Sequence, residues 1–291
     1  TEDECRAYFS ACAALRENRG HVDLLRGQHY RKRAQFFALY DDVRALPPNT
    51  AWTKLREMHD WFLSQIQENS DLVSHCKTGA EVDAQLPNTA ALLSVEGADL
   101  LDCALDHLET VASWGVRLIN PVWNNANVLS GSCADEPDRG LSVYGREFVA
   151  KMYEYGIFAD VSHISDAGFW DVIQAAKGPV VASHSNARTP GLCPHRRNLT
   201  DDMFCAVRDT GGVVGINLYL DFVGGGHMDD LIAHIEHFEV AIGGDLDGCE
   251  ALAAGMTGVQ DVAKLYQALE ERGYPQSLLE DIFWNNWRRI L

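Results

Sequence analysis

Apolar residues recur along this chain in short β-branched or aromatic runs, each closed by a polar or glycine-rich stretch. The runs are AQFFALY (Ala34 to Tyr40), TAALLSVEG (Thr89 to Gly97), GVRLINPVW (Gly115 to Trp123), GIFADVSH (Gly156 to His163), GPVVASHS (Gly178 to Ser185), GGVVGINLY (Gly211 to Tyr219) and EVAIGGDLDG (Glu239 to Gly248). They predict seven strands. Between them lie segments of helical spacing: Lys54 to Glu68 sets Leu55, Met58, Trp61, Phe62 and Ile66 on one face, and Tyr144 to Tyr155 sets Phe148, Val149 and Met152. Strict alternation of strand and helix predicts an α/β chain with a parallel sheet, and seven or eight such units predict a (β/α)8 TIM barrel in a single domain over residues 1–291. The open doubly wound sheet is the alternative, but no GxGxxG turn follows any strand.

The chain opens with a helix-like segment, DECRAYFSACAALREN, so the strand count falls one short of eight. The expected place for the first barrel strand is ahead of Thr1. The helical DDLIAHIEHF also runs into EVAIGG almost without a connection, where about two to six residues are usual. The expectation is a piece of a longer polypeptide, with that strand and one or two internal loops absent.

Two of the predicted strands end in histidine, and His163 and His184 are 21 positions apart. The segment between them, SDAGFWDVIQAAKG, spaces Phe169, Val172, Ile173 and Ala176 as a helix and closes on Gly178. Such a βαβ unit makes the two strands parallel neighbours with both carboxyl ends on one face, so the imidazoles converge. The other tips carry Glu96, then Asn120 with Trp123, Asn217 with Tyr219, and Asp245 with Asp247. A carboxylate and two imidazoles suit zinc or a similar first-row ion, and a strand-tip carboxylate such as Glu96 can bridge two ions. Asp245, nearer its strand end than Asp247, is the proton-transfer candidate. Arg196 or Arg197, ahead of a helix cap at Thr200 or Asp201, could clamp a substrate carboxylate bidentately.

Charge narrows the partners. With 24 basic and 42 acidic residues the formal net charge is −18, which repels a phosphate backbone and anionic lipid alike. Nucleic acid and membrane surfaces are therefore not expected as partners. The eight cysteines are scattered without a CxxC, which predicts reduced thiols in a cytoplasm, although Cys76, Cys103 and Cys133 could pair. No apolar stretch is long enough to span a bilayer, and TEDECRAYFS is not a signal peptide.

Taken together, LLSVEGADLL, ADVSHISDAGFWDVI, GPVVASHSNAR, HRRNLTDDMF, GGVVGINLY and GGDLDG resemble the membrane dipeptidases, also called renal dipeptidases, of the amidohydrolase barrels. The likeness runs in the same order from about His21 to the closing NNWRRIL. It implies a zinc-dependent dipeptidase with two ions in a (β/α)8 barrel, whose metal-bridging hydroxide attacks the peptide carbonyl. By motif, Glu96 would bridge the ions, and His163 and His184 would ligate the second. Arg197 would hold the substrate's terminal carboxylate, and Asp245 would carry the proton to the leaving amine. Trp123, Asn124 and Tyr219 are the further substrate-binding candidates. The small dipeptide is the expected partner, and a homodimer is an open expectation.

The chain departs from the pattern twice. The family holds its first ion with an H-x-D pair at the end of strand one. His21-Val22-Asp23 has those letters, but it follows LRENRG, which is not a strand. At Trp123 an indole stands where vertebrate members place a histidine against the reacting carbonyl. Two other readings stay open: a related amidohydrolase acting on N-acyl amino acids or lactones, and a metal-deficient barrel without catalysis.

Overall fold

The computed structural model describes residues 14–238 and 240–291. Its strands are β1 (Ala34–Leu39), β2 (Val73–His75), β3 (Thr89–Glu96), β4 (Val116–Asn120), β5 (Phe158–Ala159), β6 (Val181–Ala182), β7 (Val213–Asn217) and β8 (Ala241–Gly244). Every ladder between them is parallel. The pairing order β1-β3-β4-β5 is carried by a bridge from Asp160 to Val181 into β6-β7-β8, so neighbours in the sheet follow chain order. The helices interleaved with them are α1 (Ala51–Glu68), α2 (Gly79–Gln85), α3 (Leu105–Trp114), α4 (Val143–Glu154), α5 (Asp166–Ala175), α6 (Asp201–Asp209), α7 (Leu220–Val223), α8 (Met228–His237) and α9 (Val262–Glu271). This is the expected α/β arrangement of barrel type, and among the described residues no ladder joins β8 back to β1.

Burial explains why these runs form strands. In β3 the first seven residues are buried and only Glu96, at the tip, is partly open, as a parallel strand covered on both faces requires. One main core cluster extends from Leu24 to Ile282 and includes Phe148, Val172, Ile216 and Leu265. Side-chain caps start the helices where the chain leaves the carboxyl ends: Ser142 caps α4, Ser165 caps α5 and Thr200 caps α6. At Gly215 and Gly243 an added Cβ would fall 2.2 and 2.0 Å from the carbonyl oxygen of Ser183, so β7 and β8 press directly against the chain at His184.

Two expectations need correction. β2 is an additional strand: its three residues pair only with Thr89–Ala91, alongside the start of β3, and so short a run has no β-branched signature. The runs ending in His163 and His184 hold only two ladder residues each, because the chain beyond Ala159 and Ala182 turns to aim side chains rather than to pair. The opening helix-like segment lies outside the described residues up to Ala13, and Leu15 to Glu17 form bends. The His21-Val22-Asp23 stretch is a loop: the backbone N–H groups of His21 and Val22 donate to the Asp247 carboxylate, and buried Asp23 accepts from Arg26 at 2.7 Å.

On the flank of the sheet, α1 and α3 meet through a column of four nearly parallel rings. His107, Trp52, Trp114 and His59 stack in that order, with successive centroids 3.8, 5.6 and 4.1 Å apart.

Candidate metal centre

Glu96, His163 and His184 occupy the carboxyl ends of β3, β5 and β6, and their side chains converge. Glu96 Oε1 lies 2.7 Å from His163 Nε2 and 3.4 Å from His184 Nε2, and the two Nε2 atoms are 3.1 Å apart. Each ring is fixed from behind. His163 Nδ1 donates to the side-chain carbonyl of Asn124 at 2.9 Å, and His184 Nδ1 meets Ser183 Oγ at 2.6 Å. An amide oxygen only accepts, so the proton of His163 sits on Nδ1 and the Nε2 lone pair faces the common point.

One buried carboxylate that the sequence reading passed over fastens both tips. Asp160 Oδ1 accepts the backbone N–H of Ser162 and that of Ser183, each at 3.0 Å, and the hydroxyl of Ser162 then accepts the His184 N–H at 3.1 Å. His163 and Asp245 both have left-handed backbone, with φ of 74° and 60°. A non-glycine residue held there costs energy that the surrounding bonds must supply.

The donor set fits a cation. Two imidazole nitrogens sharing one tetrahedral zinc would stand about 3.3 Å apart, close to the separation found here. Two lone pairs and a carboxylate brought this close repel one another unless a proton or an ion sits between them. Burial, and then the Arg197 charge, push the His163 pKa down to about 3, so a cation suits the point better than a proton on that ring. Burial alone would raise the Glu96 carboxyl, but its close contacts with the two imidazoles hold it well below the ordinary range.

Asp245 and Arg197 join the same network. Asn217 Nδ2 donates to Asp245 Oδ2 at 3.0 Å and to the His184 carbonyl at 3.4 Å. Burial, opposed by His184 and reinforced by Glu96, raises the Asp245 pKa. Arg197 is 4% exposed, and only its Nη1 is engaged, with the His184 carbonyl at 3.2 Å and Ser185 Oγ at 3.3 Å. Its Nε and Nη2 are buried without a partner, an edge of two parallel N–H donors left for an anion.

The other candidates are placed less centrally. Trp123 tilts between Tyr40 and His163, at ring distances of 4.8 and 6.2 Å. Asn124 is turned to His163, and the Tyr219 hydroxyl donates to Asp221 at 3.0 Å. A cavity of about 170 Å³ opens beside Glu96 and Trp123, walled by Asp41, Arg44, Asp99 and Asp135. Neither His21 nor Asp23 is part of the metal-holding group found among the described residues.

A model of the membrane dipeptidases, peptidase family M19, matches residues 5–291. The chain belongs to that family. As a member of the membrane dipeptidase family it is a metallo-dipeptidase, and solved structures of M19 enzymes superpose on it closely. A metallo peptidase from Rhodobacter sphaeroides, liganded with a phosphinate mimic of the dipeptide L-Ala-D-Ala, is 27% identical, covers 93% of this chain and 89% of its own, and has a TM-score of 0.84. Among curated relatives, a Klebsiella pneumoniae protein named only as lying in the pqqA 5' region is 35% identical over 69% of this chain and 81% of its own. The dipeptidase aclJ of Aspergillus oryzae is 29% identical over 94% of this chain and 69% of its own. These likenesses agree with the resemblance read from the motifs.

Proposed function

We propose that this protein hydrolyses dipeptides with zinc held at Glu96, His163 and His184, and that two ions serve the reaction with Glu96 shared between them. The observation that carries this reading is the pairing of two back-anchored imidazoles and a carboxylate with a buried arginine whose Nε and Nη2 have no partner. The first set suits a metal, and the second suits the terminal carboxylate of a short peptide. When bound, zinc would acidify water and polarise the peptide carbonyl.

The residues of the chain do the rest. Arg197 orients the substrate by its carboxylate, which limits how far the scissile bond can lie from the metal-holding trio. Asp245, more basic than an exposed aspartate, takes a proton from the attacking water and returns it to the leaving amine. Trp123, beside His163 and the cavity at Glu96, walls the site, and Tyr219 is a further substrate contact. A cytoplasmic location is part of the proposal. Cys76, Cys103, Cys133, Cys193, Cys205 and Cys249 are free thiols, which supports it, and no helix among the described residues is long and apolar enough to cross a membrane.

Turnover of a dipeptide panel against a panel of N-acyl amino acids and lactones tests the reading. The phosphinate mimic in the Rhodobacter relative makes L-Ala-D-Ala the first dipeptide to assay. Dipeptide cleavage with about two equivalents of metal bears the proposal out, activity confined to the other panels replaces it with a related amidohydrolase, and protein that takes up no metal replaces it with a non-catalytic barrel.

A further inference from the structure

We infer that Arg188 is a positioning residue for Arg197 and thereby sets how strongly the site holds a terminal carboxylate. The inference rests on the function proposed above. The loop from β6 to α6 leaves the sheet at His184 and returns through Arg197. Its neck is pinched by a bridge between Ala187 and Leu199, with Arg188 N–H donating to the Leu199 carbonyl at 2.7 Å and Leu199 N–H to the Asn186 carbonyl at 2.8 Å.

The Arg188 side chain, 15% exposed, spans two elements at once. Nη1 and Nη2 donate to the two oxygens of Asp166 at 2.8 and 2.7 Å, and Nε donates to the carbonyl of Asn198 at 2.8 Å. Asp166 is the first residue of α5, three positions after His163, so this fork ties the residue following Arg197 to the helix that begins just past that histidine. Arg197 needs that support. Its guanidinium lies over the Phe222 ring at 5.5 Å and makes only two hydrogen bonds, both longer than 3.1 Å, so the aim of its free Nε/Nη2 edge follows the backbone at 197 and 198. A lysine at 188 could reach one Asp166 oxygen, but it lacks the planar fork that also holds Asn198.

A merely structural staple would lower stability and leave substrate affinity alone. A positioning role moves KM and not kcat. The test compares Arg188→Lys and Arg188→Ala in the full chain, measuring KM and kcat for a cleaved dipeptide, the inhibition constant of the free amino acid product, and bound metal. KM and the inhibition constant are expected to rise together, about 5-fold for lysine and about 20-fold for alanine. In both variants kcat stays within about threefold, with metal content unchanged. Asp166→Asn, which keeps the Asn198 contact, is expected to give the smallest rise. Unchanged KM and inhibition constant, or kcat falling in step with metal, overturns the inference. If wild-type protein cleaves no dipeptide, the functional reading fails on its own, and calorimetric binding of the free amino acid then decides: weaker binding in the variants supports the role of Arg188, and equal binding overturns it.

Discussion

His163, His184 and His59 are buried alike, at 8, 7 and 7% exposure respectively, and His234 is buried completely. Burial therefore does not separate the histidines at the strand tips from those in the helical layer. The separation lies in where the nitrogens go. His234 uses both, accepting the Ala187 N–H on Nδ1 at 3.2 Å and donating from Nε2 to the Val223 carbonyl at 2.9 Å, and His59 lies flat against Trp114 in the four-ring column. At the tips each Nδ1 is bonded from behind and the Nε2 atoms are brought together beside Glu96. A histidine whose two nitrogens are both satisfied by the backbone is packing. A pair with matched open nitrogens beside a carboxylate can hold an ion.

This contrast can be broken at either end. The largest effect is expected at the tips: His184→Ala should remove the ion held with Glu96 and His163 and lower turnover by at least about 1,000-fold, read by elemental analysis and steady-state kinetics. Full turnover after that change would remove His184 from the ligands. Next, Asn124→Ala frees the His163 ring to choose its tautomer and should weaken metal affinity about 10- to 100-fold, measured by competition with a chelating dye while the fold is retained.

In the other group the currency is stability. His234→Ala leaves the Ala187 N–H and the Val223 carbonyl unpaired in the interior and should cost about 2–4 kcal/mol, seen in the urea midpoint, with bound metal unchanged. The smallest effect is a pH dependence at the foot of the ring column. Burial, and then Lys77, push the His75 pKa down to about 4, and its Nε2 is buried without a partner. An unfolded histidine titrates near 6.5, so the unfolded chain takes the proton first. Stability is full above that value and falls as pH drops towards 4, where the folded form also protonates. Burial lowers His59 and His234 in the same direction. Denaturation midpoints at pH 7 and pH 5 should therefore differ, and His75→Gln should narrow the gap.

The strand tips were legible in the sequence because a β run that stops at a single polar residue leaves a mark. Glu96, His163, His184 and Asp245 each follow such a run, and the parallel order of β3 to β8 does bring them to one end. Arg197 was legible only through its motif, since nothing in HRRN tells which arginine turns inward; the structure buries Arg197 and leaves Arg196 exposed. Asp160 left no signal, because an aspartate inside an apolar run reads as an interruption until two backbone N–H groups from different strands are seen to meet at it. Arg188 and its fork to Asp166 depend on a contact across 22 positions that no local pattern records. The same holds for β2, which exists only because β3 offers an edge beside its first residues.

The left-handed backbone at His163 and Asp245 has a thermodynamic consequence. Both residues occupy positions where glycine would rest without strain, so the fold keeps the proposed metal ligand and the proposed proton carrier where a more compliant residue would make it sturdier, by about 1 kcal/mol or more at each. His163→Gly and Asp245→Gly are thus expected to separate durability from turnover: each should lose less stability than the matching alanine variant, while activity is lost in both.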